Sequence, residues 1–349
     1  MPESLTLVCA AKLFGNLLDR YLEPLNRLDA VRKIFVVRHE PIRTHFDKVE
    51  QVSFGNTGTA RSIWRMFKSV DEIIQREQVD WVLGFNPVPW GSVAGASALR
   101  RGVPLSLSFI GMDFKQIQRP EAFPLRGLVR QASLVTVTGE RMRRGLVERG
   151  VSPERIRTLP HAVDTQRFAP GDEPPVYDVI SVGQLISRKR MDVLIDAVAE
   201  LGRRGRVVRT AIVGAGPLKD ELERRISDRG VADRVSLLGF RNDVETLLRK
   251  SRLFALVSDW EGVPFAMIEA MCTGLVPIVT DVGTIADWIT DGKNGHIVPV
   301  GDAQALAGTL ERLLDDHAHF EGLKSAVLGM RDSLSLDHGV EFWREALRA

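Results

Sequence analysis

The chain has 349 residues, 44% hydrophobic and 26% charged, too many for one ordinary domain and with the make-up of a water-soluble globular protein. Its net charge of +2 hides an imbalance: residues 1–170 hold 25 Lys+Arg against 17 Asp+Glu, whereas residues 171–349 hold 22 against 28. Cys9 and Cys272 are the only cysteines, which excludes a disulfide-framed scaffold and a cysteine zinc site; no leader peptide and no membrane-length apolar run is visible.

In chain order, Leu5 to Ala10 reads as a strand, followed by a loop with Phe14-Gly15-Asn16 and a helix through Leu28. Lys33 to Arg38 and Val49 to Phe54 read as further strands. Arg61 to Gln75 has helical periodicity, with Ile63, Phe67, Val70 and Ile74 on one face and Arg61, Arg65 and Lys68 on another. Strands at Asp80 to Phe85, Pro104 to Phe109 and Leu134 to Thr138 alternate with helices at Gly91 to Arg101 and Glu140 to Arg149. Such alternation predicts a parallel sheet covered on both faces, with ligands beyond the carboxyl ends of its strands. The loop residues Gly15, Asn16, Asn86 and Asp113 are therefore the candidates for contacting an acceptor, with His161 added from the segment RTLPHAVDTQRF. Asp113 is also a candidate catalytic residue.

The run APGDEPPV at 169–176 predicts a domain boundary at 170. Beyond it, Asp178 to Val182 is a strand leading into Gly183-Gln184-Leu185-Ile186-Ser187-Arg188-Lys189-Arg190 and a helix. Three cations where a helix begins are unfavourable unless an anion lies among them, which makes Gly183, Gln184, Arg188 and Lys189 candidates for phosphate. Val207 to Val213 is a strand before Gly214-Ala215-Gly216, and Val235 to Leu238 one before Gly239-Phe240-Arg241. The stretch SDWEGVPFAMIEAMCTGLVPIVTDVG then places a helix over Phe265 to Cys272, its amino end beside Gly262. That end suits an anion, while Glu269, over a turn inside, suits a vicinal diol. Val276 to Thr280 is a strand, Asp302 to Leu314 a helix, and Asp337 to Arg348 an amphipathic helix predicted to dock back onto the first domain.

Taken together, SVGQLISRKRMDVLIDA, VGAGP, LLGF, SDWEGVPFAMIEAM, DGKNGHIVP and LPHAVDTQRF resemble the retaining glycosyltransferases of family 4. The resemblance implies the GT-B fold: two Rossmann-like doubly wound α/β domains facing across a cleft, here an acceptor domain (1–170), a nucleotide-sugar donor domain (171–335) and a returning helix (336–349). It implies that Glu269 binds the donor ribose and that Glu261 lies near the transferred sugar. Gly262, Val263, Pro264 and Phe265 would meet the diphosphate and sugar, and Lys189 would neutralise the diphosphate. Gly214, Gly216, Phe240 and Arg241 would hold the nucleoside. It implies a nucleoside-diphosphate sugar of the UDP or GDP type as co-substrate, with no metal or other cofactor. The sequence departs from the family where Gln184 replaces a common arginine, where Ser108 to Asp113 lacks a histidine near Ile110, and where the first glycine-rich loop is reduced to Gly15.

The expected protein is a metal-independent hexosyltransferase of envelope or surface-polysaccharide and glycolipid assembly. It is expected in the cytoplasm, peripheral on the inner membrane face. Its basic first half favours a lipid-linked or acidic glycan acceptor and an anionic membrane surface; no nucleic-acid partner is expected. A nucleotide-sugar epimerase of the same fold, and a non-catalytic sugar-nucleotide-binding subunit, are the alternatives.

Overall fold

Short apolar runs rich in Val, Ile, Leu and Phe, bounded by glycines and polar turns, become strands buried on both faces, as parallel sheets require. The computed structural model describes residues 4–11, 13, 17–42, 44–54, 59–118 and 123–348. Gly15 and Asn16 lie outside the described residues.

The elements in chain order are β1 (Leu5–Ala10), α1 (Leu17–Arg27), β2 (Val31–Val37), β3 (Val49–Val52), α2 (Thr59–Arg76), β4 (Trp81–Phe85), α3 (Ser92–Arg101), β5 (Leu105–Phe109), α4 (Met112–Ile117), α5 (Phe123–Gln131), β6 (Leu134–Val137), α6 (Glu140–Val147) and β7 (Ile156–Thr158). They continue with β8 (Tyr177–Val182), α7 (Met191–Arg203), β9 (Thr210–Val213), α8 (Lys219–Asp228), β10 (Val235–Gly239), α9 (Val244–Arg249), β11 (Ser251–Leu256), α10 (Phe265–Cys272), β12 (Val276–Thr280), β13 (His296–Val298), α11 (Ala303–Asp315), α12 (His317–Leu328) and α13 (Leu336–Ala346).

These elements form two units, one of residues 1–162 with 336–349 and one of residues 163–335. In the first, a parallel sheet has the order β3-β2-β1-β4-β5-β6-β7; in the second, the order is β10-β9-β8-β11-β12-β13, again parallel throughout. Both orders reverse direction beside their first strand, the topology that opens a crevice at the carboxyl edge. α13 belongs to the first unit, where it packs on α1 and Trp343 is only 1% exposed.

Within the first unit, α2 and α3 are clamped by one carboxylate. Asp71 receives Arg101 Nε at 3.0 Å and Nη2 at 2.8 Å, Ser97 Oγ at 3.0 Å and Gln75 Nε2 at 2.6 Å. The Arg101 guanidinium, followed by these neutral donors, holds the Asp71 carboxyl well below the usual carboxylate range. Both cysteines are buried and free, and burial pushes the Cys272 thiol up to about 12.

The first unit gives way to the second after Ala162, not at 170. The reason is that the segment before the proline-rich run is already tied to the second unit. Val163 N–H donates to Leu334 O at 2.8 Å, Arg331 Nη2 to Thr165 O at 2.6 Å, and Arg167 Nη2 to Glu245 at 2.9 Å. The edge strands β7 and β13, each three residues long, and helices α4, α5 and α12 were not expected from sequence. Three residues are too few to display a period of two, and α12 follows α11 after the single residue Asp316. Its start is marked by Asp316, whose carboxylate accepts from His319 N–H at 2.9 Å.

Candidate functional site

The carboxyl edge of the second sheet is assembled from glycine turns that bond to one another. After β8, Gly183 N–H donates to Val213 O at 2.9 Å; after β9, Gly214 N–H donates to Gly239 O at 2.8 Å. Leu185 N–H reaches Ala215 O at 3.0 Å, and Leu218 N–H returns to Leu185 O at 3.1 Å. The approach leaves no room for side chains. A Cβ at Gly214 would stand 1.8 Å from Gly183 O, and one at Gly216 would stand 2.4 Å from Leu185 O. Gly214 also has φ +151°, which few other residues adopt. The three loops singled out in the sequence are thus one hydrogen-bonded body.

Lys189 and Glu261 meet against this body. Lys189 Nζ donates to Glu261 Oε1 at 2.6 Å, with side chains 14% and 4% exposed. Ser258 Oγ donates to the same Oε1 at 2.5 Å, and Thr280 Oγ1 holds the Ser258 carbonyl at 2.6 Å. A lysine ammonium has three donors, so one bond to Glu261 orients it and leaves two for another acceptor. Gly283, at φ +64°, lets the chain pass so close to Glu261 that a Cβ there would fall 2.1 Å from its carbonyl oxygen. Thr284 Oγ1 then donates to Gly262 O at 3.2 Å.

The segment bearing Lys189 is zipped to the one bearing Glu261. Asp259 N–H donates to Arg188 O at 2.9 Å, and the Arg188 guanidinium lies 5.1 Å from the Trp260 ring centre. Arg190 adopts a left-handed conformation, φ +49°. It donates to Asp192 at 3.2 Å and to Asp259 at 2.9 Å, and these carboxylates push its pKa further up. Its charge is committed to holding the turn, so of the two arginines that stand near Gln184 only Arg188 lacks a carboxylate partner among the ion pairs of the described residues. Gln184 itself is exposed.

At the amino end of α10, Phe265 N–H turns back on Val263 O at 3.0 Å, while Met267 and Ile268 N–H both use Pro264 O. Pro264 precedes the helix at φ −84°. Glu269 is 4% exposed within α10, and its own carbonyl receives Thr273 Oγ1 at 2.8 Å. Phe240 is 71% exposed, and Arg241 beside it pairs with Asp243 at 2.7 Å.

The first-unit candidates are more dispersed. Asn86 follows β4 in a left-handed conformation, φ 57°, and donates its N–H to Ser108 O at 3.2 Å. Asp113 stands in the first turn of α4; its side chain is outside the description. His161 is fully buried, with Nδ1 3.2 Å from Leu159 O, and burial draws its pKa down to about 4. It is therefore neutral near pH 7.

Sequence reading missed Ser258, Trp260, Asp259 and Thr280 as parts of this site. Ser258 and Thr280 act through atoms that only the fold brings to Glu261, so spacing carried no sign of them. Among the described residues no helix is long and apolar enough to cross a membrane, and no three His, Cys, Asp or Glu side chains gather as a metal site.

Comparison with known proteins bears on both units. Residues 163–326 match the family Glycosyl transferases group 1, and residues 31–167 match Glycosyltransferase Family 4. The α-D-kanosaminyltransferase of Streptomyces kanamyceticus is 30% identical over 222 residues, 58% of this chain and 57% of that protein. The putative colanic acid biosynthesis glycosyltransferase WcaL of Salmonella typhimurium is 33% identical over 204 residues, 54% of this chain and 48% of that protein. The chain thus matches about half the length of these relatives. The crystal structure of Anabaena Alr3699/HepE in complex with UDP superimposes with a TM-score of 0.80 at 18% identity, over 99% of each chain, which shows a shared fold. Two family matches that between them run from residue 31 to 326, on two parallel-sheet Rossmann-like units of the GT-B type, make this chain a member of the group 1, family 4 glycosyltransferases.

Proposed function

We propose that the chain transfers a hexose from a nucleoside-diphosphate sugar to an acceptor hydroxyl, with retention of anomeric configuration and without a metal. The observation that carries this reading is the buried Lys189–Glu261 pair set against three interlocked glycine turns. In this reading the diphosphate lies among the Lys189 ammonium, Arg188, Gly183 and the amino end of α10, where Phe265 N–H exchanges the Val263 carbonyl for a phosphate oxygen. The acceptor oxygen attacks the anomeric carbon from the face the diphosphate leaves. The anomeric C–O bond to phosphate breaks, its electron pair departs on the diphosphate, and the acceptor proton passes to that leaving oxygen. Preorganised cations and amide dipoles stabilise the charge developing there. Glu261, fixed by Lys189 and Ser258, faces the sugar; buried Glu269 takes the ribose diol; exposed Phe240 offers a surface on which the base stacks. A UDP-type donor is the first choice, since HepE has been crystallised with UDP.

The acceptor we assign to surface polysaccharide or glycolipid assembly, in keeping with the name of the WcaL relative and the basic composition of residues 1–170. Exposed Trp64, with Lys68 Nζ 5.5 Å from its ring centre and Arg61 a turn before, gives the first unit a face suited to an anionic bilayer.

A thermal-shift screen with UDP, GDP, ADP and their hexose derivatives tests the donor half, because a ligand that binds only the folded protein raises its melting temperature with concentration. One nucleotide and its sugar should stand apart, and that pair should support transfer or slow hydrolysis. No nucleotide response would overturn the reading; nucleotide binding with neither transfer nor hydrolysis would make the chain a non-catalytic partner. Failure to bind anionic vesicles at low salt would remove the membrane assignment.

A further inference from the structure

At the carboxyl edge of the first sheet a guanidinium is buried with most of its donors unused. Arg38 is the first residue past β2 and is 1% exposed. Its Nη2 donates to Leu13 O at 2.9 Å and to Glu40 Oε2 at 3.1 Å; Nε and Nη1 have no partner among the described residues. Arginine stays charged in proteins, so those N–H groups cannot be relieved by losing a proton. Buried donors are ordinarily matched, and a cation with unmatched donors at a ligand-binding edge is out of keeping with a purely structural role. A structural arginine is represented in the same unit by Arg101, which puts its guanidinium side-on to Asp71.

A second unmatched group lies on the same edge. Asn86 follows β4, and its Oδ1 is enclosed without a partner among the described residues. β2 and β4 flank β1, with Val37 and Gly84 both registered to Ala10, so the residues just past them stand about 10 Å apart. His39, next to Arg38, begins a run of rings that continues through Phe54 to Trp90, with centres 6.1 and 6.3 Å apart. The separation suits one sugar ring with a charged substituent.

We propose that this edge recognises an anionic acceptor: Arg38 binds the oxyanion, a phosphate or a carboxylate, and Asn86 takes a hydroxyl of the adjoining sugar. Glu40, about a third exposed, holds the guanidinium meanwhile. A ligand oxyanion replaces it and gains a two-pronged contact from the same fork. The proposal rests on the reading of the first unit as the acceptor unit.

The test uses the full chain saturated with UDP, so that phosphate cannot report the second unit. Glucose 6-phosphate, glucuronate and, as the neutral control, glucose are titrated by calorimetry. The expected result is binding of one charged probe and none of glucose, weakened about tenfold or more in Arg38→Gln and tightened several-fold in Glu40→Gln, with UDP affinity unchanged in both. The probe that responds says whether the oxyanion is phosphate or carboxylate. A charged probe that binds no better than glucose, or binds both variants as it binds wild type, overturns the proposal. Glu40→Gln keeps the test open should Arg38→Gln fail to fold. If UDP does not bind, the same titrations are run without it in Lys189→Ala; Arg38-dependent binding there would uphold this site while the donor reading fell.

Discussion

The carboxyl edges of the two sheets solve the same topological problem differently. In the second unit the loops after β8, β9 and β10 satisfy one another backbone to backbone, and the buried ion pair that joins the loop after β8 to the loop after β11 is braced by Ser258 and Thr280. In the first unit, the corresponding edge leaves Arg38 and Asn86 with atoms unmatched among the described residues, while the rings of His39, Phe54 and Trp90 are packed on one another. A loop body held by its own hydrogen bonds has its shape before any ligand arrives. An edge with polar groups in want of partners has its chemistry set but completes its bonding only with something added.

The largest expected effect strikes the interlock itself. Gly214→Ala places a Cβ against the Gly183 carbonyl and should lower stability by about 4 kcal/mol, read from urea denaturation, with loss of nucleotide binding. Gly102→Ala, at φ +70° with nothing within 4 Å, should cost only about 1 kcal/mol. Equal costs for the two would dissolve the contrast between a closed edge and an open turn.

Next comes the ion pair. Lys189→Met should cost about 3 kcal/mol, because Glu261 is left buried without its cation. Adding Glu261→Gln should restore most of that stability while transfer stays about 100-fold or more below wild type. Asp71→Asn offers the foil: a loss of about 2 kcal/mol from the α2–α3 clamp with kcat unaffected. If the double variant regained activity along with stability, the pair would be a structural clamp of the Asp71 kind.

A similar magnitude should appear with pH in the first unit. The pKa of His161 is about 4 in the folded chain against 6.5 when free, so the unfolded chain binds the proton more readily. The stabilisation is complete above pH 6.5 and is lost as the pH falls toward 4, by about 3 kcal/mol. His161→Gln should flatten the fall in melting temperature over that window; an unchanged profile would mean another group sets it. The smallest effect is Asp302→Ala, which removes the cap on Gln304 and Ala305 N–H and should cost about 1 kcal/mol, without change in nucleotide affinity.

The sequence was most informative where a local pattern and a buried segment coincide. Phe265–Cys272, Val276–Thr280 and Leu5–Ala10 lie where the apolar runs put them, since each run is long enough to declare its period. The glycines at 214 and 216 marked the site because only a residue without a side chain fits there. What could not be read were atoms made neighbours by the fold. Ser258 donates to Glu261 while Thr280, from β12, grips the Ser258 carbonyl. Arg190 stands third in a run of three cations, and nothing in that run showed that two carboxylates, Asp192 and Asp259, would claim it. Arg38 ended an ordinary strand, and nothing in KIFVVR foretold that its guanidinium would be enclosed.

The placement of α13 has a consequence for synthesis. This helix follows the whole of the second unit in sequence, yet it packs on α1, and its Trp343 is buried in the first unit. On the ribosome, residues 163–335 form a continuous stretch that can fold as soon as it has emerged. The unit whose sheet is made first must wait, with the α1 face bare, until α13 arrives. The first-made unit is therefore the last to be finished, and chaperones acting on the nascent chain have their longest opportunity at α1.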